Sequence, residues 1–267
     1  MKLSHSFFQQ VCFIFCCLWG FHLPLLKAQY VLPKNPGVYY VTAPSGLNMR
    51  EAPTPTAVKI MKIPYGEQVE LLKEEEYAPV KMGWMQGNWA KIKVGDNEGF
   101  AFGAYLIPVK PPARTELAGI CKDDSETAGF GKLLYAYLDS TFAIPEKGET
   151  IFDLSEGTNP DSLPCGDCHL VVVRLQLSQN VVLLEEIHFE NSRLRLRVSG
   201  MDIYGAYALL EALMSTCERA AKHHQNPKLK EEDGRVYEIQ DREMGGEFFR
   251  IRQIDAATAE IVMSGWY

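Results

Sequence analysis

Residues 89–106 read WAKIKVGDNEGFAFGAYL, and this stretch decides how the first part of the chain folds. Two strand-like runs, Trp89–Val94 and Gly99–Phe102, stand on either side of Gly95-Asp-Asn97, and Tyr105-Leu106 follows them. A short glycine-containing connection between two such runs is typical of a β-hairpin. We therefore predict that these residues form an antiparallel pair of strands.

The same pattern continues upstream of the hairpin. Short apolar runs recur at Val38–Val41, Leu47–Met49, Val58–Ile63 and Val69–Leu72, separated by proline and glycine turns. Repeated short strands without a long helical pattern predict a small β-barrel or sandwich. The alternation places four side chains in its core: Leu47, Met49, Val69 and Ile92. It turns Arg50 outward, where the guanidinium can hydrogen-bond a turn carbonyl.

Three motifs of this region resemble the bacterial SH3 domain. They are Ser45–Pro53 (SGLNMREAP), Pro64-Tyr-Gly66 followed by Val69, and Glu98–Leu106 (EGFAFGAYL). One position departs from the family pattern, because Phe100 stands where the family usually has tryptophan. The resemblance implies an SH3-like barrel over residues 37–108. It also implies a non-catalytic targeting module, often directed to peptidoglycan.

Four aromatic residues of this module are candidates for ligand binding: Trp84, Trp89, Phe100 and Tyr105. Large aromatic side chains serve either burial or recognition. In so small a barrel we expect at least two of the four to belong to the core.

The first 28 residues predict a signal peptide. They contain no Asp or Glu, Lys2 precedes an apolar stretch from Phe7 to Leu26, and small Ala28 offers a cleavage point. The uninterrupted apolar core is shorter than the roughly 20 residues that a membrane-spanning helix needs. We therefore expect cleavage after about Ala28 and an exported protein, periplasmic or secreted, with no membrane span in the mature chain.

Charge divides the remaining chain into two parts. Without residues 1–28 it carries 25 basic side chains (27 minus Lys2 and Lys27) against 34 acidic ones, a net charge of −9. Residues 29–112 hold nine of the basic and eight of the acidic residues, so residues 113–267 hold sixteen and twenty-six. This balance argues against a nucleic-acid partner. We predict a proline-rich linker at 109–115 and a separate domain at 116–267.

The second domain is predicted to be α+β, a helix packed on an antiparallel sheet. Asp202–His224 shows a helical stripe of apolar residues that Asp202 can cap. Strands are predicted on both sides of this helix, at Leu170–Leu177, Val181–Phe189, Arg193–Val198, Val236–Ile239, Phe248–Ile254 and Ala259–Trp266. A further element at Phe130–Leu138 is interpreted as a helix.

Four cysteines outside the leader are candidates for disulfides: Cys121, Cys165, Cys168 and Cys217. Export makes disulfide pairing the default, although Cys217 on the helix stripe also suits a buried thiol. Cys165-Gly-Asp-Cys168-His169 formally matches the attachment motif of c-type haem, and the same pair could serve a redox site. A zinc site would need further ligands, such as His223 or His224.

The sequence contains none of the common catalytic motifs, so we expect a binding protein that uses no cofactor or metal. The chain has no G-x-S-x-G, no H-E-x-x-H and no phosphate-binding glycine loop. Adjacent carboxylates such as Glu185-Glu186 are more typical of solvated surface than of an acid–base pair. The partner expected is a cell-wall glycan or peptide, or a protein. An envelope hydrolase that uses the barrel for targeting stays the main alternative, and a redox or haem protein the lesser one.

Overall fold

The structure is a computed structural model, and it describes residues 34–74, 79–113, 130–153, 170–188, 191–215, 227–232, 235–240, 248–255 and 257–266. The expectations for the leader 1–28, for the four cysteines and for His223 and His224 fall outside these residues.

The first nine strands build one large sheet and one small hairpin. They are β1 (Gly37–Val41), β2 (Leu47–Arg50), β3 (Lys59–Ile63), β4 (Gln68–Glu74), β5 (Val80–Met82), β6 (Met85–Gly87), β7 (Trp89–Val94), β8 (Asn97–Phe102) and β9 (Leu106–Ile107). The large sheet has the order β3-β2-β8-β7-β4-β1-β9, and β5 pairs with β6. A 3-10 turn at Gly103–Tyr105 joins β8 to β9.

The predicted hairpin is present as the β7–β8 pair. Val94 lies opposite Asn97, and Gly95 in the turn has φ +57°, which a residue with a side chain adopts at a cost. The predicted core is confirmed, since Leu47, Met49, Val69 and Ile92 are all buried.

The remaining strands form a second, eight-stranded antiparallel sheet. They are β10 (Glu149–Asp153), β11 (Leu170–Ser178), β12 (Val181–His188), β13 (Asn191–Ser199), β14 (Lys228–Glu232), β15 (Arg235–Gln240), β16 (Phe248–Asp255) and β17 (Thr258–Trp266). Their order is β10-β11-β12-β13-β17-β16-β15-β14. One side is aliphatic along a single row of opposed residues, which runs Leu175, Leu183, Leu196, Ile261, Ile251, Ile239 and Leu229.

Two helices accompany this sheet in the described part of the chain, α1 (Phe130–Thr141) and α2 (Ile203–Met214). The predicted cap is confirmed, because Gly205 N donates to Asp202 Oδ1 at 2.7 Å. In α2 every residue except Glu211 is buried. One side packs on β15, β16 and β17, and another side meets the 3-10 turn, β9 and β6. The helix is therefore the middle layer between the two sheets.

The predicted fold class is confirmed in part, as a first sheet followed by a second, sheet-rich part. The described part of the chain is mostly β-sheet, with a seven-stranded first sheet and a second, sheet-rich part that contains both helices. All six strands predicted around the helix are present, while β5, β6, β10 and β14 were not predicted. The assignment of the second part to the α+β class stays a prediction, as do the domain boundaries.

The proline-rich segment packs against both parts of the chain. Val109, Pro111 and Pro112 are buried. The carbonyl of Pro112 accepts a hydrogen bond from Tyr65 Oη at 2.9 Å, and that of Lys110 accepts one from Tyr137 Oη of α1 at 2.8 Å. Over its described residues this connection therefore holds the two sheets together.

Candidate ligand-binding surface

An aromatic ring with cations on both sides lies on the outer side of the first sheet. Phe100 on β8 stands opposite Arg50 on β2 and opposite Lys91 on β7. The same row continues to Lys59 beyond Arg50 and to Lys73 beyond Lys91. All five residues are partly or fully exposed. We call them the Phe100 row.

Close local contacts hold the centre of this row. Arg50 donates Nη1 to the carbonyl of Ala57 at 2.6 Å, which confirms the predicted turn contact. Lys91 Nζ lies 3.2 Å from Glu98 Oε2. A side chain at Gly99 would place its Cβ 2.7 Å from the carbonyl oxygen of Arg50, so glycine lets β2 approach β8. The two nearest cations are thus kept on either side of Phe100.

This arrangement can bind a flat, partly apolar group that carries a negative charge. An aromatic face packs against a sugar ring or an apolar side chain, while a neighbouring guanidinium or ammonium binds a carboxylate. Both kinds of contact are available within one row of the sheet.

The other three predicted aromatics lie elsewhere, and Trp84 faces the second part of the chain. Its ring centroid is 4.4 Å from that of Tyr207 in an edge-to-face contact, and 6.2 Å from that of Tyr204. Both tyrosines belong to α2. Trp84 therefore already packs against another part of the same molecule.

Trp89 and Tyr105 lie at the open end of the β7–β8 hairpin, away from its turn. Trp89 is 2% exposed and lies opposite Phe102, whose ring centroid is 6.0 Å from that of Tyr105. Burial, followed by the charge of Glu211, raises the pKa of Tyr105. The structure thus groups Trp89 and Tyr105 around Phe102 and leaves Phe100 apart. The ligand-binding role of the four aromatics stays a prediction.

The expectation that Glu185-Glu186 is solvated surface is wrong for Glu186. Neighbours on a strand point to opposite faces, so the two carboxylates cannot act together. Glu186 is 8% exposed, and Arg195 Nη2 lies 2.5 Å from its Oε1. Glu185 accepts a hydrogen bond from Tyr135 of α1, and burial raises its pKa.

A buried ionic cluster between the first sheet and α2 was not predicted. Lys34 Nζ lies 2.6 Å from Asp202 Oδ2 and 3.8 Å from Glu74 Oε1, while the backbone N–H of Lys34 donates to Glu74 Oε2 at 2.5 Å. The side chains of Lys34, Glu74 and Asp202 are 3%, 0% and 14% exposed. We call these three residues the Lys34 cluster.

Opposite charges keep Lys34 ionised in spite of its burial. Burial alone would lower its pKa, but the carboxylates of Asp202 and Glu74 outweigh burial and raise the pKa. Asp202 also caps α2, so this cluster ties the residues before β1 to the start of the helix. Its members are distant in sequence, and no local pattern distinguishes Glu74 from the glutamates that follow it in the acidic run 74–76.

Two properties of the described residues concern metals and membranes. Within the described residues no group of three or more His, Cys, Asp or Glu side chains could hold a metal ion. No helix in the same part of the chain is both long enough and apolar enough to cross a membrane.

Comparison with known proteins gives one match. Residues 45–107 match the family model described as the bacterial SH3 domain, which is the span of β2 to β9. No curated protein and no solved structure matches the chain. The motifs of the sequence and this match agree, and residues 45–107 are a bacterial SH3 domain.

Proposed function

We propose that this chain is an exported, non-enzymatic binding protein whose SH3 domain attaches it to the cell wall, with peptidoglycan as the ligand. A bacterial SH3 domain suggests a cell-wall binding module. The observation that carries the proposal is the presence, in that domain, of the partly exposed Phe100 between Arg50 and Lys91.

Peptidoglycan offers the chemistry that the Phe100 row can bind. Its glycan strands supply sugar rings, and its peptides supply free carboxylates. A ring would pack against Phe100 while Lys91 or Lys59 binds a carboxylate. Lys59 is exposed, and the Lys91 side chain is 41% exposed, so both ammonium groups can reach a ligand.

The rest of the proposal concerns the whole protein. Residues 1–28 would direct export and be removed after about Ala28, which would place Cys121, Cys165, Cys168 and Cys217 where disulfides form. The second part, an α+β domain in this proposal, would contact a protein partner.

Co-sedimentation with purified peptidoglycan tests the proposal. The protein from residue 29 onward should pellet with the wall material and release no soluble fragments. Phe100→Ala should weaken retention by about tenfold, the effect expected when one central aromatic contact is lost. Phe100→Trp should retain binding, because tryptophan is the residue usual for the family at this position.

The matched control is Tyr237→Ala, which removes a 43% exposed aromatic from the second sheet. It should leave retention unchanged. Equal retention of the Phe100→Ala variant would place the ligand elsewhere on the molecule. Release of wall fragments would favour the hydrolase, and a protein that stays in the supernatant would refute the wall-binding proposal.

A further inference from the structure

The side of the second sheet that faces away from α2 is rich in arginine. Opposed residues of neighbouring strands share one face, so the register determines what lies there. One row across the sheet runs Arg197, Glu260, Arg252, Glu238 and Lys230. The adjacent row runs Arg174, Leu184, Arg195, Val262, Arg250, Gln240 and Lys228. With Glu186, Arg193 and Glu149, these residues form what we call the arginine face.

Three carboxylates on this face lie below the cations that contact them. The side chains of Glu186, Glu238 and Glu260 are 11%, 8% and 1% exposed. The arginines that contact them are 24% to 39% exposed. A molecule that approaches the sheet therefore meets guanidinium groups first.

The layer also has an excess of positive charge. Among the described residues, this face carries eight cations and five carboxylates, a balance of +3. The cations are Arg174, Arg193, Arg195, Arg197, Lys228, Lys230, Arg250 and Arg252, and the carboxylates are Glu149, Glu186, Glu238, Glu260 and Asp255, which lies opposite Thr258. The chain as a whole has a net charge of −7. Positive charge is thus concentrated on one face of an acidic protein, which suits an anionic partner.

The spacing of the arginines is wide and regular. Arg193, Arg195 and Arg197 alternate along β13, so their Cα atoms are about 6.8 Å apart. Arg195 and Arg250 lie in one row with β17 between them, which separates their strands by about 9.6 Å. Apolar Val262 occupies the position between these two cations.

We propose that the arginine face binds a linear acidic polysaccharide that carries carboxylates along its length. The guanidinium groups already bind carboxylates within the sheet: Arg197 Nε lies 2.7 Å from Glu260 Oε2. A guanidinium has five N–H donors, so Arg197 and Arg252, whose side chains are more than a third exposed, can bind a ligand carboxylate beside their glutamates. A sheet surface several strands wide matches an extended polymer better than a single small anion.

The charge pattern favours this polymer over nucleic acid. A DNA duplex carries about one charge per 1.7 Å, and such dense charge would be repelled by the buried glutamates and by the acidic remainder of the chain. A polyuronate carries at most one carboxylate per sugar, so its charge is less dense than that of a duplex and is repelled less by these carboxylates. This inference is independent of wall binding through the Phe100 row.

Calorimetric titration with polygalacturonate at low ionic strength tests the proposal. The test variant is Arg193→Gln/Arg252→Gln. It should fold normally, because Glu186 keeps Arg195 at 2.5 Å and Glu238 keeps Lys230 at 2.7 Å. We expect its affinity to fall by about tenfold or more, since two charge-assisted contacts are lost. Affinity of the unaltered protein should decrease steadily as salt is added.

Three comparisons make the result decisive. The control Lys62→Gln/Lys81→Gln removes two exposed charges from the first part of the chain and should change affinity less than twofold. Fully methyl-esterified polygalacturonate, which lacks the charge, should not bind. Phe100→Ala should bind polygalacturonate as the unaltered protein does, which separates this site from the proposed wall site.

Several outcomes would overturn the proposal. They are an absence of binding to polygalacturonate, equal binding of the esterified polymer, and equal losses in the test and control variants. Tighter binding of a single-stranded DNA oligomer with the same dependence on Arg193 and Arg252 would assign the face to nucleic acid instead. A thermal unfolding curve of each variant shows that the loss belongs to the surface and not to the fold.

Discussion

Replacing Lys34 by methionine should destabilise the protein severely. Methionine fills a similar volume but leaves Glu74 and Asp202 without their shared cation. The Glu74 side chain is fully buried, so its charge would stay buried beside a neutral side chain. Removing one member of a buried ion pair costs about 3–5 kcal/mol. Against a typical total of about 5–15 kcal/mol for a folded domain, this is a large fraction.

Urea unfolding at neutral pH measures this cost. Lys81→Met is the matched control, because Lys81 is exposed and its loss should change the free energy of unfolding by less than about 0.5 kcal/mol. The double variant Lys34→Met/Glu74→Gln should recover part of the loss, since it also removes the unpaired charge. A cost below about 1 kcal/mol for Lys34→Met, or strictly additive effects in the double variant, would refute the account of the Lys34 cluster.

Three further predictions concern packing, backbone and pH. Trp84→Ala should lower the free energy of unfolding by about 2–3 kcal/mol, less than the loss of a fully buried tryptophan, because the partly buried Trp84 ring packs against Tyr207. Calorimetry with Trp84→Phe as control measures this loss. Gly46→Ala should cost more in urea unfolding than Gly66→Ala: both have positive φ, but only at position 46 does a Cβ meet a carbonyl oxygen, at 2.8 Å. Burial raises the pKa of Tyr137, so the folded state keeps a proton that the unfolded state releases. Stability should therefore fall above about pH 10, and Tyr137→Phe should flatten that fall.

Local patterns predicted most of the strands because each depends on a short stretch of chain. Arg193, Arg195 and Arg197 alternate with apolar residues, and the structure has this segment as β13 with one buried side. The strands that were missed are short or lie at an edge. In β14, with the sequence KLKEE, only Leu229 is apolar, so no alternation was visible.

The candidate site depended on contacts that no local pattern contains. The sequence makes Trp84 a candidate ligand contact. No residue near it in the sequence indicates that Tyr204 and Tyr207 of α2 pack against it. Lys34 and Asp202 are 168 positions apart, and their pairing follows only from the way α2 packs on the first sheet. By contrast, the turn contact of Arg50 spans seven residues and was predicted.

The predicted apolar stripe of α2 corresponds to only one of the two sides on which this helix is buried. The stripe accounted for one side of the helix, whereas the structure buries both sides. Glu211 is the only charged residue from Ile203 to Met214, and this composition is itself typical of a helix enclosed all round. What the composition could not tell is which element covers the second side.

The position of α2 limits how the SH3 domain can be exchanged. A Cβ at Gly205 would lie 3.3 Å from Ile107 Cγ2, so the helix and β9 are in close contact. An SH3 domain transplanted from another protein would bring a different side chain to this contact and would require a compensating change in the helix. An isolated fragment of residues 45–107 would expose Trp84 and Ile107 to solvent, and these apolar side chains would favour self-association. In evolution, substitutions on the two sides of α2 should therefore occur together, as in an obligate interface within a single chain.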